Sequence, residues 1–187
     1  MHRIFAIHGA YSTPTIFNYL RLQMPDCDWQ FLDYHADISG VDEICQRVTL
    51  TKPCHVIGHS MGGLIALALA HSPCVNSITT IATPLDGLDV TVMQAYLTRS
   101  GFINEISHRS KFMQQLHRQH YAMPVQHIVT TKGFNPYIYV PNDGVVSVKS
   151  QRTWHTGAVV DIAANHAEVM LRPETVHYLR DFISNIA

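Results

Sequence analysis

Short apolar runs alternate along this chain with segments whose apolar residues recur every three to four positions. Arg3 to Ile7, Trp29 to Tyr34, Cys54 to Gly58, Val75 to Ala82, Val125 to Thr130 and Gly157 to Ala163 read as strands. Between them, Pro14 opens a helix carrying Ile16, Phe17, Leu20 and Leu22, and Pro25-Asp26 breaks it. Val41 to Leu50 places Val41, Ile44 and Val48 on one face. Leu64 to Ala70 is apolar nearly all round, the pattern of a helix buried against its sheet. Asp89 to Thr98 and Asn104 to Arg118 are helical by pattern, with Ser100-Gly101 between them. Lys132 to Ser150 is expected to be a loop, and Pro173 to Ile186 a closing helix with Val176, Leu179, Phe182 and Ile183 facing the core.

Strands alternating with helices predict an α/β fold with a mostly parallel sheet, helices on both faces and right-handed crossovers. The 187 residues suit one domain, spanning 1–187. Hydrophobic residues make up 47% and charged residues 14%, enough apolar side chain for a large core. A formal net charge of −1 with no Lys/Arg run gives a nucleic-acid partner no electrostatic support. Cys27, Cys45, Cys54 and Cys74 form no CxxC pair, and reduced thiols are expected. The first strand begins within a few residues of Met1, which leaves no room for a signal peptide, and no apolar run is long enough to span a bilayer. The expectation is a cytoplasmic chain without stable membrane insertion.

The chemistry gathers at Gly58-His59-Ser60-Met61-Gly62-Gly63, where an apolar strand enters a Gly-x-Ser-x-Gly turn and leaves as a helix. On such a turn the serine is strained and its hydroxyl projects above the sheet edge. The N–H of Met61 falls in the first turn of the helix, where its donor and the helix dipole suit a developing negative charge. A serine hydroxyl needs a base, and the base a carboxylate to orient it. In parallel α/β folds that carry such a turn, the acid and then the base follow the serine along the chain. His166 follows the last strand, at the sheet edge where binding groups collect in open α/β folds. Among thirteen histidines it is distinguished by that position, the bland alternative being a surface loop histidine. Asp143 is the candidate acid, although Asn142-Asp143-Gly144 is also ordinary turn composition, and Asp86 is its rival. Asp161 falls inside a strand. The second oxyanion donor is expected from His8-Gly9-Ala10, as the Ala10 N–H, with Tyr11 N–H the alternative. His8 itself is expected to hold that loop by a hydrogen bond, and Tyr137-Ile138-Tyr139 to pack. Scattered histidines without ligand spacing, and no Lys-Ser/Thr after the glycines, leave no metal site, phosphate loop or cofactor to expect.

His8-Gly9, Gly58-His59-Ser60-Met61-Gly62-Gly63, Ala82-Thr83-Pro84, Asn142-Asp143-Gly144-Val145-Val146 and Asn165-His166-Ala167, in this order, resemble the α/β-hydrolase superfamily. The likeness runs over nearly the whole chain and is nearest to compact bacterial lipase- and esterase-like members. The resemblance implies a minimal sheet of about six strands, without the two antiparallel leading strands of the full fold. It implies Ser60 as nucleophile, Asp143 as acid, His166 as base, and Met61 and Ala10 as oxyanion donors. The activity it implies is hydrolysis of a carboxylic ester, of a small molecule or a lipid, through an acyl-serine. A thioesterase, amidase or acyltransferase would use the same triad, and a non-catalytic binding protein could keep the scaffold. Residues 85–123 are longer than a bare crossover and could form a small helical cap, with Val92, Met93, Tyr96, Leu97 and Phe102 as apolar surface. The other reading is that these side chains pack onto the sheet, as Phe112, Met113 and Leu116 are expected to. Tyr11, His59, Met93 and Tyr96 are the candidate substrate contacts.

Overall fold

The computed structural model describes residues 1–34, 40–88, 102–154 and 156–186. Among them six strands form one parallel sheet: β1 (Arg3–Ile7), β2 (Asp28–Leu32), β3 (Cys54–His59), β4 (Val75–Ile81), β5 (Val125–Thr130) and β6 (Ala158–Ile162). Their order is β2-β1-β3-β4-β5-β6. The chain moves one way from β1 to β2 and the other way from β3 onward. The direction of winding therefore reverses between the C-terminal ends of β1 and β3, the crevice where open α/β sheets bind ligands.

The central strands β3 and β5 are buried along their whole length, as parallel strands covered on both faces must be. Alternate residues feed two cores. Ile7, Val56 and Ile78 pack with α2 (Val41–Arg47), α3 (Met61–Ala68) and α5 (Lys111–Arg118). Ile4, Ala6, Ile57 and Ile128 pack with α1 (Asn18–Gln23) and α7 (Pro173–Ser184) through Leu20, Leu179 and Ile183. The remaining short helices are α4 (Phe102–Glu105) and α6 (Val148–Arg152). All four cysteines are free thiols. No helix among the described residues is long and apolar enough to cross a membrane.

Several expected elements change. The first helix opens as a 3-10 turn over Pro14–Phe17, and its register turns Leu22 outward, 69% exposed. The helix expected over 104–118 is two helices, because the Ser110 side chain caps the second by accepting from Met113 N–H at 3.0 Å. Phe112, Met113 and Leu116 are core, as expected. The loop expected to run to Ser150 contains α6, capped by Ser147, whose hydroxyl accepts from Ser150 N–H at 3.1 Å. Met93 and Tyr96, and with them the expected helix over 89–98 and the cap surface at Val92 and Leu97, lie outside the described residues.

Three histidines are buried in the strands. His55 meets Ser77 Oγ at 2.7 Å, His127 meets Thr80 Oγ1 at 2.7 Å and Thr156 O at 3.0 Å, and His59 ends β3. Burial lowers His55 and His127 to about 4 and, with His166 adding repulsion, His59 to about 3. The folded chain therefore refuses protons that the unfolded chain binds from about pH 6.5 downward. This stability is complete above that pH and is lost as pH falls toward the folded values. Each histidine should cost about 2 kcal/mol between roughly pH 6.5 and 5, against about 5–15 kcal/mol for a whole domain. Urea titrations should give an unfolding free energy several kcal/mol lower at about pH 5 than at about pH 7; equal values would contradict neutral burial of these rings.

Candidate active site

Ser60 occupies the turn between β3 and α3 with φ 55° and ψ −125°, a left-handed conformation that a non-glycine residue adopts only under constraint. Its N–H donates to Ile81 O at 2.8 Å and its carbonyl accepts from Gly63 N–H at 3.0 Å. The close passage of the chain explains the glycines. A Cβ at Gly58 would fall inside the backbone of Gly62 and Gly63, and one at Gly62 inside the carbonyls of Ile7 and His8. The start of α3 thus presses on the end of β1. That brings the β1 loop against the serine: a Cβ at Gly9 would sit 2.9 Å from Ser60 Cβ and 3.4 Å from its Oγ.

Ala10 is half-buried and packs on the α3-side core, and Tyr11 follows it with φ 54° and an exposed side chain. His8 holds this loop, as expected, its Nδ1–H donating to Gly9 O at 2.8 Å. Its ring stacks on Tyr34 at 4.2 Å, and Tyr34 OH donates to His8 O at 2.5 Å. Tyr34 was expected to end a strand and instead braces the loop from below. Met61 is the first residue of α3, where no helical carbonyl faces its N–H.

Asp143 and His166 meet across neighbouring strand ends, the Nδ1–H of His166 donating to Asp143 Oδ2 at 2.8 Å. Among the described residues, five donors converge on this buried carboxylate. Oδ1 accepts from Val145 N–H (2.9 Å) and Val146 N–H (2.7 Å). Oδ2 accepts from Thr130 Oγ1 (2.5 Å), Gln151 Nε2 (3.0 Å) and His166. Burial alone would raise the Asp143 carboxyl, but His166 and these other donors outweigh it and hold the group below the usual range. The turn reading of Asn142-Asp143-Gly144 is also true: Asn142 Oδ1 accepts from Gly144 N–H at 2.9 Å, and Gly144 has φ 99°. The rival Asp86 pairs with His108 at 2.8 Å, and Asp161 lies in β6 paired with Arg152.

His166 is held at three points. Besides its ring, its N–H donates to Asp143 O at 3.0 Å, and its carbonyl accepts from His59 Nε2–H at 2.9 Å. His59 was expected to touch substrate. It is instead buried and faces the backbone of His166, because β3 is covered on both faces up to the turn. Thr130 and Gln151 escaped the sequence reading; the local sign of α6 is a cap residue, Ser147, with no periodic apolar run behind it. Tyr137-Ile138-Tyr139 packs only through Ile138, Tyr139 being 92% exposed. No group of three or more His, Cys, Asp or Glu side chains among the described residues is arranged to hold a metal ion.

A parallel sheet that delivers a strained serine at its switch point, with an aspartate–histidine pair at the ends of later strands, defines an α/β hydrolase. The chain belongs to the alpha/beta hydrolase family, whose model matches residues 4–176. Similar solved structures include the mature lipase BlEst2 of Bacillus licheniformis, at 16% identity and TM-score 0.72 over 97% of this chain and 91% of that one. The pyrethroid hydrolase PytH is 13% identical with TM-score 0.69, covering 98% of both chains. Phospholipase PlaB of Legionella pneumophila is 13% identical with TM-score 0.71, over 96% of this chain but 59% of that one. A search of the curated proteins finds no match.

Proposed function

We propose that the protein hydrolyses carboxylic esters through an acyl-serine intermediate, with Ser60 as nucleophile, His166 as base and Asp143 as acid. The observation that carries this reading is the 2.8 Å bond from His166 Nδ1 to Asp143 Oδ2, with His166 tied through its carbonyl to His59, the residue before the strained Ser60. With Nδ1–H engaged by the carboxylate, Nε2 keeps its lone pair and is the atom that can accept a proton. Ser60 Oγ attacks the acyl carbon while its proton passes to Nε2. The carbonyl oxygen takes the negative charge and is met by the N–H groups of Met61 and Ala10. Collapse of this intermediate breaks the ester C–O bond, and Nε2 returns the proton to the leaving alcohol. Water, deprotonated by the same nitrogen, then attacks the acyl carbon; the bond to Ser60 Oγ breaks, Nε2 returns the proton to Oγ, and the acid is freed.

The lipase, phospholipase and pyrethroid hydrolase names of the similar structures support an ester as the bond cleaved. The substrate is an ester of a small molecule or a lipid, and no cofactor enters the scheme. A small domain has little wall to bury a long acyl group, so short-chain esters are expected to give the highest kcat/KM. The test is a p-nitrophenyl ester series from acetate to palmitate, run alongside a thioester, an anilide and an added alcohol. Ester turnover well above the other two, with free acid as product, supports the reading. Faster thioester or amide cleavage, or acyl transfer to the alcohol, replaces it.

A further inference from the structure

We propose that Gln151 is a positioning residue for the acid, its amide closing the sheet beside β5 and fixing the Asp143 carboxylate against His166. The proposal rests on the serine-hydrolase reading above. It starts from where the sheet ends. The last β4–β5 backbone bond is Ala82 N–H to Ile128 O at 3.0 Å, after which β4 leaves. Two residues on, Thr130 points its N–H and C=O to the same side, with no strand to meet them. Gln151 takes the strand's place: its Oε1 accepts from Thr130 N–H at 2.9 Å and its Nε2 donates to Thr130 O at 3.3 Å.

That pairing fixes which way the amide faces. The Thr130 N–H is a donor only, so the oxygen must lie against it, and the nitrogen must lie toward the two acceptors, Thr130 O and Asp143 Oδ2. A flipped amide would set donor on donor and oxygen on carboxylate. The Thr130 hydroxyl is 2.5 Å from Asp143 Oδ2 and 3.0 Å from Gln151 Oε1, so its proton serves the carboxylate. Gln151 is 1% exposed, so bulk solvent does not reach its amide. The helix that carries it, α6, is fastened to the β4 loop by Ser150, whose hydroxyl donates to Gly87 O at 2.9 Å and accepts from Asp86 N–H at 3.2 Å. Oδ2, the oxygen that His166 uses, is thus clamped by Thr130 and Gln151, while Oδ1 is clamped by the loop's own backbone.

Two variants separate positioning from mere packing. Gln151→Met keeps the length and removes both polar ends. It should lower kcat about tenfold or more with KM changed little, and move the acid limb of kcat/KM to higher pH. A carboxylate with one donor fewer offers more charge to the imidazolium and raises the pH at which the base is lost. Gln151→Glu keeps the acceptor and donates to Oδ2 only while its carboxyl is protonated. Its kcat should therefore lie nearer the parent's below the pH at which that carboxyl ionises than above it, a pH dependence that the Met variant does not share. Circular dichroism and fluorophosphonate labelling of Ser60 accompany each profile. Superimposable pH profiles, with kcat of the Met variant within about twofold of the parent, would overturn the proposal, as would failure of both variants to fold. A parent chain that neither turns over esters nor takes the probe would instead overturn the serine-hydrolase reading, and this one with it.

Discussion

Ser60→Ala should lower kcat for p-nitrophenyl esters by about four to six orders of magnitude and leave the fold unchanged. The two halves of this expectation have separate causes. The turn at Ser60 is held by its backbone, through Ile81 O, Gly63 N–H and the passage of Gly58 against Gly62, and none of these contacts uses the hydroxyl. Alanine keeps the Cβ, and with it the same cost at φ 55°, so the strain is carried over rather than released. Thermal midpoints should therefore agree within about 2–4 °C. Turnover depends on the removed oxygen alone. Mass spectrometry should find fluorophosphonate on Ser60 in the parent and nowhere in the variant. A folded variant that retains a tenth of the parent's rate would remove Ser60 from the mechanism.

The serine turn was legible in the sequence because its constraints are local. A strand buried on both faces is a near-continuous apolar run, and Cys54 to Ile57, interrupted only by His55, reads as one without any knowledge of its neighbours. Gly58 and Gly62 sit where the start of α3 passes the backbone at the ends of β3 and β1 too closely for a Cβ, so the need for them is written into the pattern itself. Asp143 and His166 were legible for a different reason. Each follows a predicted strand, and parallel strands bring all their C-terminal ends to one edge.

The supports of the site were not legible, because each spans distant parts of the chain. Tyr34 meets His8 across 26 positions, His59 meets His166 across 107, and Gln151 meets Thr130 across 21. No periodicity connects such pairs. His59 shows how this misleads. Its place beside the nucleophile suggested substrate contact, yet β3 remains covered to its last residue and turns the ring toward the His166 carbonyl. The helix α6 failed to register because five residues, Val148–Arg152, carry too few apolar positions for a 3.6-residue pattern. Tyr137 and Tyr139 failed in the opposite direction. Aromatic composition suggested packing, but the loop turns only the residue between them inward.

Asp143→Asn should be nearly as damaging to turnover as loss of the serine, although the substitution is almost isosteric. The site offers its five donors to an acceptor on both sides: Val145 and Val146 N–H on one oxygen, Thr130, Gln151 and His166 on the other. An amide has one oxygen. Placed against the two backbone N–H groups, it turns its NH2 toward Thr130, Gln151 and His166. The Thr130 hydroxyl can rotate and accept, but the Gln151 amide cannot, since its oxygen is already fixed against Thr130 N–H. His166 can satisfy the new NH2 only by presenting an unprotonated Nδ1, which places its proton on Nε2. That tautomer meets Ser60 with a donor and cannot take the serine proton. A loss of about four orders of magnitude in kcat is the size of effect this tautomer error produces in a serine protease triad. Placed the other way, the amide sets its NH2 against two backbone N–H groups in a buried site, at a cost of about 1–3 kcal/mol for each donor left unmet. The variant should therefore unfold at lower urea than the parent as well as lose turnover, whereas Ser60→Ala loses turnover alone. Part of the activity should return at alkaline pH, where hydroxide can deprotonate the serine without the imidazole. An Asn variant with parental kcat near neutral pH would show that Asp143 orients nothing the reaction needs.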